Sequence, residues 1–426
     1  MERFRERPWY LWVAFAIPAA SIFLQSVAPL EPTFKEQNLA VLLGVLGAGL
    51  VLVLWIFYTG DEIARQALQV FLALLTLVWL YQNVSVLLDG FTFNHTTYFV
   101  PLLLILIYFK VPSRGELLIA GLVLGYSMVI IIMISVFFGG HFGIPSGFSV
   151  SDNGVSRFPV LSELLGIENR WGGPFGSVNI ATPAGGLLVM LGTLYRRWNR
   201  VVFVLVGVLV LFLGQARTTY FALGFALLIL FVWSAWLRRN RFSAAIRWAL
   251  LVVSVAGAAI YIAVLDPTVN GRMPIWTDYL RLVQDSILTG VGSSGVNQYL
   301  IEMAATQPGL IVHDHGHSAY IDGLTRYGGL WLILTCAVFA VAFYAVWKAR
   351  NGFLGSRGLA IVTFIFFAGL TETIFSWAYA FIYLLALIMV VSLARDPDVT
   401  RISIPRDYPP ARKRFPAEFH VNSLPD

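Results

Sequence analysis

Apolar runs of about 20 residues recur from one end of the chain to the other, each long enough to cross a hydrocarbon core of roughly 30 Å as an α-helix. Most are separated by short polar stretches. The pattern predicts spans at about 9–29, 38–58, 66–88, 97–110, 116–138, 178–195, 200–214, 217–237, 246–265, 328–347, 358–374 and 376–394. The expected fold is an all-α polytopic membrane protein with about 12 transmembrane helices. The first run follows "MERFRER" and is too long and Trp-rich for a typical cleaved signal, so it reads as a retained anchor.

Two connections break the rhythm, at about 139–177 and 266–316. Long connections in a compact protein carry function or are disordered. The second contains "GRMPIWTDYLRLVQDSILTGVG", with Ile275, Tyr279, Leu282 and Val283 at helical spacing. That spacing predicts an amphipathic helix on the membrane surface, and so a partly helical extracytoplasmic loop. Residues 1–394 form the membrane domain in this reading. Residues 395–426, basic and with six prolines, form a flexible cytoplasmic tail.

Composition agrees: of 426 residues, 58% are hydrophobic and 12% charged, against roughly 25% charged in a soluble domain. Charge also orients the chain. With the N-terminus inside, 22 of the 29 Lys and Arg residues fall on inner segments and 7 on outer ones. The positive-inside rule therefore supports twelve spans with both ends cytoplasmic. The net charge of +6 needs no nucleic acid, because the excess lies on the inner face, where anionic membrane lipid attracts it. The single cysteine, Cys336, excludes an intrachain disulfide and makes no thiol-based metal site.

Candidate chemistry gathers at the outer ends of spans. Arg217, in "LGQARTTYFALG", lies between two spans with almost no loop, on the side where cations are scarce. It is either a snorkelling or capping residue or a ligand for an anion. Arg272, in "NGRMPIW", is either an ordinary residue at a helix start or a planar fork for phosphate oxygens. Three of the six histidines, His313, His315 and His317, fall within "HDHGH". His317 is placed near the first turn of the helix leading into a span, where a neutral imidazole could take a proton from a hydroxyl near pH 7. A hydrogen-bonded loop histidine and a metal cluster are the alternatives; the alternating spacing suits a strand better than a helix. Glu372 lies in an outer turn, "LTETIFSW", where it could pair with an arginine, orient a histidine or simply be solvated. "GVGSSG" at Gly290–Gly295 matches a dinucleotide-loop spelling but lacks the βαβ context, so it reads as a tight turn.

Taken in order, these motifs resemble the O-antigen ligase and O-antigen polymerase superfamily of bacterial membrane glycosyltransferases, over about 170–375. The family's R…G-x-F-x-x-P-N segment corresponds to "RWGGPFGSVNIA", giving Arg170 and Asn179, with Val178 in place of the proline. Its arginine at a span start corresponds to Arg217. Its G-R-x-x-x-W corresponds to "GRMPIW", giving Arg272 and Trp276, followed by a turn like "ILTGVG". Its H-N-x-Y-L…G corresponds to "HSAYIDGLTRYGG", giving His317 and Tyr320; Ser318 replaces the usual Asn, and Arg326 stands where Glu is common. His313 and His315 have no counterpart.

The resemblance implies a GT-C-like fold in the bacterial inner membrane, with the active site facing the periplasm. It implies a donor glycan on undecaprenyl diphosphate and a lipid or glycan acceptor. His317 would be the catalytic base. Arg217 and Arg272, with Arg170, would stabilise charge developing on the diphosphate. Asn179, Glu372 and Tyr320 would support them. Transfer by a single displacement would invert the anomeric centre, with no metal and no cofactor. A ligase and a repeat-unit polymerase share this chemistry. A lipid-glycan flippase is the reading from another class, but it would carry polar residues deep within its spans, whereas here they crowd the outer face.

Overall fold

The computed structural model describes residues 71–75, 77–78, 114–138, 170–175, 177–236, 272–306, 316–349, 354–372, 374–375 and 380–394. Among these, the structure is helical and contains no strand. In chain order the helices are α1 (Arg114–Phe138), α2 (Val178–Gly192), α3 (Arg197–Gly214), α4 (Arg217–Trp236), α5 (Arg272–Leu282), α6 (Gly292–Thr306), α7 (Ala319–Lys348), α8 (Gly355–Thr371) and α9 (Ala380–Ala394). Single 3₁₀ turns lie at Gly173–Phe175 and Gln284–Ser286. Three helical segments, Leu117–Phe138, Arg197–Gly214 and Ala319–Lys348, are long and apolar enough to cross a membrane. Shorter apolar helices run over Val178–Gly192, Arg217–Phe231, Gly355–Thr371 and Ile382–Ala394.

Seven of the expected spans thus correspond to described apolar helices. The expected spans at about 9–29, 38–58, 97–110 and 246–265 lie outside the described residues, as do most of 66–88, the 139–169 part of the first long loop and the 395–426 tail.

Small residues decide how the helices meet. α2 packs along α3 and α4 along α8. A Cβ at Gly207 of α3 would fall 2.6 Å from the Gly185 carbonyl oxygen of α2, so glycine there lets the two backbones touch. α8 also contacts α2, α7 and α9, and it is buried along most of its length. A helix apolar all round belongs in such a central position. Below the site end, Tyr320, Phe339, Phe366 and Phe375 interlock α7 with α8, with ring centroids 5.3–6.4 Å apart.

α7 is two helices joined by a break. Gly328 has φ 83° and ψ 179°, a φ that an L side chain rarely adopts. The break leaves backbone groups unpaired, and the turn after α5 satisfies them. Gly329 N–H donates to the Ile287 carbonyl at 2.6 Å and Leu330 N–H to the Leu288 carbonyl at 3.5 Å, while the Thr325 carbonyl accepts from Val291 N–H at 2.8 Å. The expected span at 328–347 is therefore only the second part of α7. The first part, Ala319–Tyr327, carries the His317 segment at its head.

The second long loop is more helical than its periodicity predicts. α5 appears where the amphipathic helix is expected. The "GVGSSG" stretch does begin as a turn, with φ of 75° at Gly290 and 74° at Gly292, but it then opens α6.

Candidate functional site

The α3–α4 joint is two residues long. Gln215 adopts the left-handed conformation (φ 54°, ψ 35°) and donates its N–H to the Leu211 carbonyl, which ends α3. The chain reverses at once and presents Arg217, exposed, as the first residue of α4. Trp171 N–H donates to the Leu213 carbonyl at 3.0 Å, and the Trp171 ring is wholly buried. That anchor fixes Arg170 beside the same joint.

Glu372 closes α8 as its C-cap, with 1% of its surface exposed. A buried carboxylate must be paired, and this one is. Arg272 Nη2 lies 2.8 Å from Glu372 Oε1, and Thr218 Oγ1 donates to the same oxygen at 2.5 Å. Arg272 is 4% exposed, and its Nη1 donates to the Thr371 carbonyl. Burial pushes the Glu372 carboxyl up; Arg272, the Thr218 hydrogen bond and Arg170 oppose that. Arg170 is half-buried. Burial lowers its pKa, Glu372 raises it and the like charge of Arg217 lowers it again. The Nε of Arg170 is buried and meets no hydrogen-bond partner among the described residues.

The His317 segment hangs from this centre by its backbone. Ala319 N–H, the first of α7, donates to the Glu372 carbonyl at 3.0 Å. Ser318 is the N-cap, its Oγ accepting from Ile321 N–H at 3.4 Å. On the other side, Trp276 Nε1 donates to the Gly316 carbonyl at 2.8 Å, and Gly316 N–H donates to Asp322 Oδ1 at 3.3 Å. Between these holds His317 has φ 47°. For a residue with a Cβ this conformation costs about 1–2 kcal/mol, and such strain collects where a side chain must be aimed. His317 thus sits just before the N-cap of α7, next to its first turn, as the spacing suggests.

The structure therefore brings Arg170, Arg217, Arg272, His317 and Glu372 to one end of the bundle: Arg272 and Arg170 act on the Glu372 carboxylate, Arg217 lies within electrostatic reach of Arg170, and the His317 segment hangs from the Glu372 backbone. Of the three outcomes open to Glu372 in the sequence, it takes the arginine pair. Arg272 differs from expectation: it is a buried strut between α5 and α8. Asn179 lies in the first turn of α2, half-buried, its backbone N–H donating to Ser177 Oγ at 3.3 Å. Tyr320 points down into the aromatic layer, its hydroxyl donating to the Phe366 carbonyl at 3.1 Å, so its support is to the scaffold. His313 and His315 lie outside the described residues.

Two residues escaped sequence reading. Thr218 directly follows Arg217, but only the fold shows that Glu372, 154 positions away, is its partner. Asp322, 1% exposed, takes Gly316 N–H and also both 3.2 Å contacts from Arg326 Nε, so it holds the His317 loop from beneath. Its spacing of four from Arg326 was the available signal.

Comparison with protein-family models and with curated proteins gives no match to this chain.

Proposed function

We propose that the chain is a membrane glycosyltransferase of the bacterial inner membrane, with about twelve spans, whose site faces the periplasm. It would move a glycan from undecaprenyl diphosphate to an acceptor hydroxyl, as an O-antigen ligase does; a repeat-unit polymerase would use the same site on a growing chain. The observation that carries this reading is the buried Nε of Arg170, which meets no acceptor among the described residues, set beside the exposed Arg217 and within electrostatic reach of Glu372, whose carbonyl holds the head of the His317 helix. A buried unsatisfied donor calls for a missing partner, and a diphosphate oxygen fits two neighbouring guanidinium groups.

In this mechanism the acceptor oxygen attacks the anomeric carbon as the bond to the diphosphate oxygen breaks. The acceptor proton passes to His317. The electron pair of the broken bond leaves on undecaprenyl diphosphate, where Arg217 and Arg170 stabilise it. Arg272 acts indirectly, by holding Glu372, whose carbonyl holds the head of α7. The linkage inverts, and the leaving group supplies the driving force without a metal or a cofactor.

The test is transfer by purified protein in proteoliposomes, with a lipid-diphosphate glycan and candidate acceptors. His317→Gly should lower turnover by roughly 10²–10⁴-fold. Its folding stability should stay within about 1–2 kcal/mol of the parent's, because the relief of φ > 0 offsets the lost side-chain interactions and glycine's greater unfolded-state entropy. Arg217→Ala should instead weaken binding of the lipid diphosphate about tenfold to a hundredfold, the loss of one charge-assisted contact of ~1.5–3 kcal/mol. Full turnover by His317→Gly, or unchanged donor binding by Arg217→Ala, would overturn these assignments.

A further inference from the structure

The turn that seals the break in α7 has a second property. Ile287 and Leu288, whose carbonyls accept from Gly329 and Leu330, expose 56% and 70% of their surface. Beside them on α7, Leu330 exposes 46% and Ile333 64%. Met273 and Leu280, seven residues apart on one face of α5, expose 43% each. These apolar side chains would be misplaced in water.

Backbone pairing sets their depth. Ile287 and Leu288 are level with residues 329–330, the first turn of the apolar part of α7. At that level the freed amides of the break are closed by protein rather than left to water. A non-helical backbone is tolerated at membrane depth on that condition. A Cβ at Gly290 would fall 2.6 Å from the Arg326 carbonyl carbon and oxygen, so turn and helix are in direct backbone contact.

We infer that the turn Val283–Val291 is a membrane wedge, with Ile287 and Leu288 seated among the lipid acyl chains at the bilayer edge, continuous with the lipid-facing side of α7 at Leu330 and Ile333. The occupant of this surface is lipid. The wedge fixes the end of α5, and α5 carries Arg272. This inference needs the apolar helices to lie in a bilayer, but it does not depend on the transfer reaction.

Fluorescence quenching in phosphatidylcholine proteoliposomes tests it. Cys336, the lone cysteine and exposed, is replaced by serine. Single cysteines are then introduced by Leu288→Cys, Ile287→Cys, Ile333→Cys and Glu302→Cys, and each is labelled with bimane. Glu302 lies on the exposed face of α6 and marks water; Ile333 marks lipid. Labels at 287 and 288 should be quenched by nitroxide-bearing lipid as strongly as the label at 333, and should be shielded from iodide. Two positions are used so that the result does not hang on either substitution alone. Iodide quenching at 287 and 288 equal to that at 302 would place the turn in water and overturn the inference. Protection from both quenchers would also overturn it, because the turn would then be covered by protein, such as a second copy of the chain.

Discussion

Arginines gather at both ends of the helical bundle, but in two different ways. At the site end, Arg272 is buried against the Glu372 carboxylate, Arg170 lies within electrostatic reach of it, and Arg217 is exposed beside Arg170. At the opposite end, Arg196, Arg197 and Arg200 are exposed around the start of α3, and Arg357 is half-buried within electrostatic reach of Arg200 and Arg196. Arg200 Nε donates to the Tyr195 carbonyl at 3.0 Å. Exposed Trp198 stands among them, as an aromatic residue does at a membrane interface. The exposed members of the second group carry charges that solvent and salt can screen. Arg272 is buried and cannot rely on screening, so its charge is balanced by a specific partner, Glu372. The two ends differ not in the number of their cations but in one carboxylate buried against one buried arginine.

The sharpest way to break this contrast is to remove the carboxylate. Glu372→Ala leaves Arg272 as a buried, uncompensated charge, and should cost about 3–5 kcal/mol of stability, measured by thermal or denaturant unfolding in detergent. Adding Arg272→Ala to that variant should cost much less than it does alone, because both substitutions remove one interaction. Additive effects would show that the pair does not hold the site end together. Next in size is Thr218→Val, which keeps the side-chain shape but removes the 2.5 Å hydrogen bond to Glu372. A hydrogen bond to a charged group is worth about 1.5–3 kcal/mol, so a similar loss of stability is expected, and no loss would remove Thr218 from the network. The smallest effect belongs to the other end: Arg196→Ala should change stability by no more than about 0.5 kcal/mol. A larger loss there would erase the difference between the two regions.

Helix positions were legible wherever an apolar run was uninterrupted. The expected spans 116–138 and 217–237 became Arg114–Phe138 and Arg217–Trp236, shifted by a residue or two. Legibility failed where backbone, not side-chain polarity, decides the structure. The apolar part of α7 begins at Gly328, where its span is expected, but the backbone break there does not change the apolar pattern and so was hidden. α6 was missed because it opens on glycine and serine and buries only Val296, so no periodic face appears in its sequence. The candidate site was legible as residue types at span ends. Its connectivity was not, because Arg272 and Glu372 are 100 positions apart and neither hydropathy nor spacing links them. The positive φ at His317 was equally hidden, since histidine, although enriched there over most residues, adopts φ > 0 too rarely to mark the position.

The same 100-residue separation sets an order of assembly. Synthesis proceeds at about 5–20 residues per second, so Arg272 emerges from the ribosome roughly 5–20 s before the carboxylate that compensates it. During that interval α5 has its cation but not its counter-ion, and the head of α7 lacks the carbonyl that holds it. The site can close only after α8 has been made. Newborn chains therefore remain without a formed site until nearly all of the membrane domain has been translated, and a chain terminated before Glu372 never acquires one.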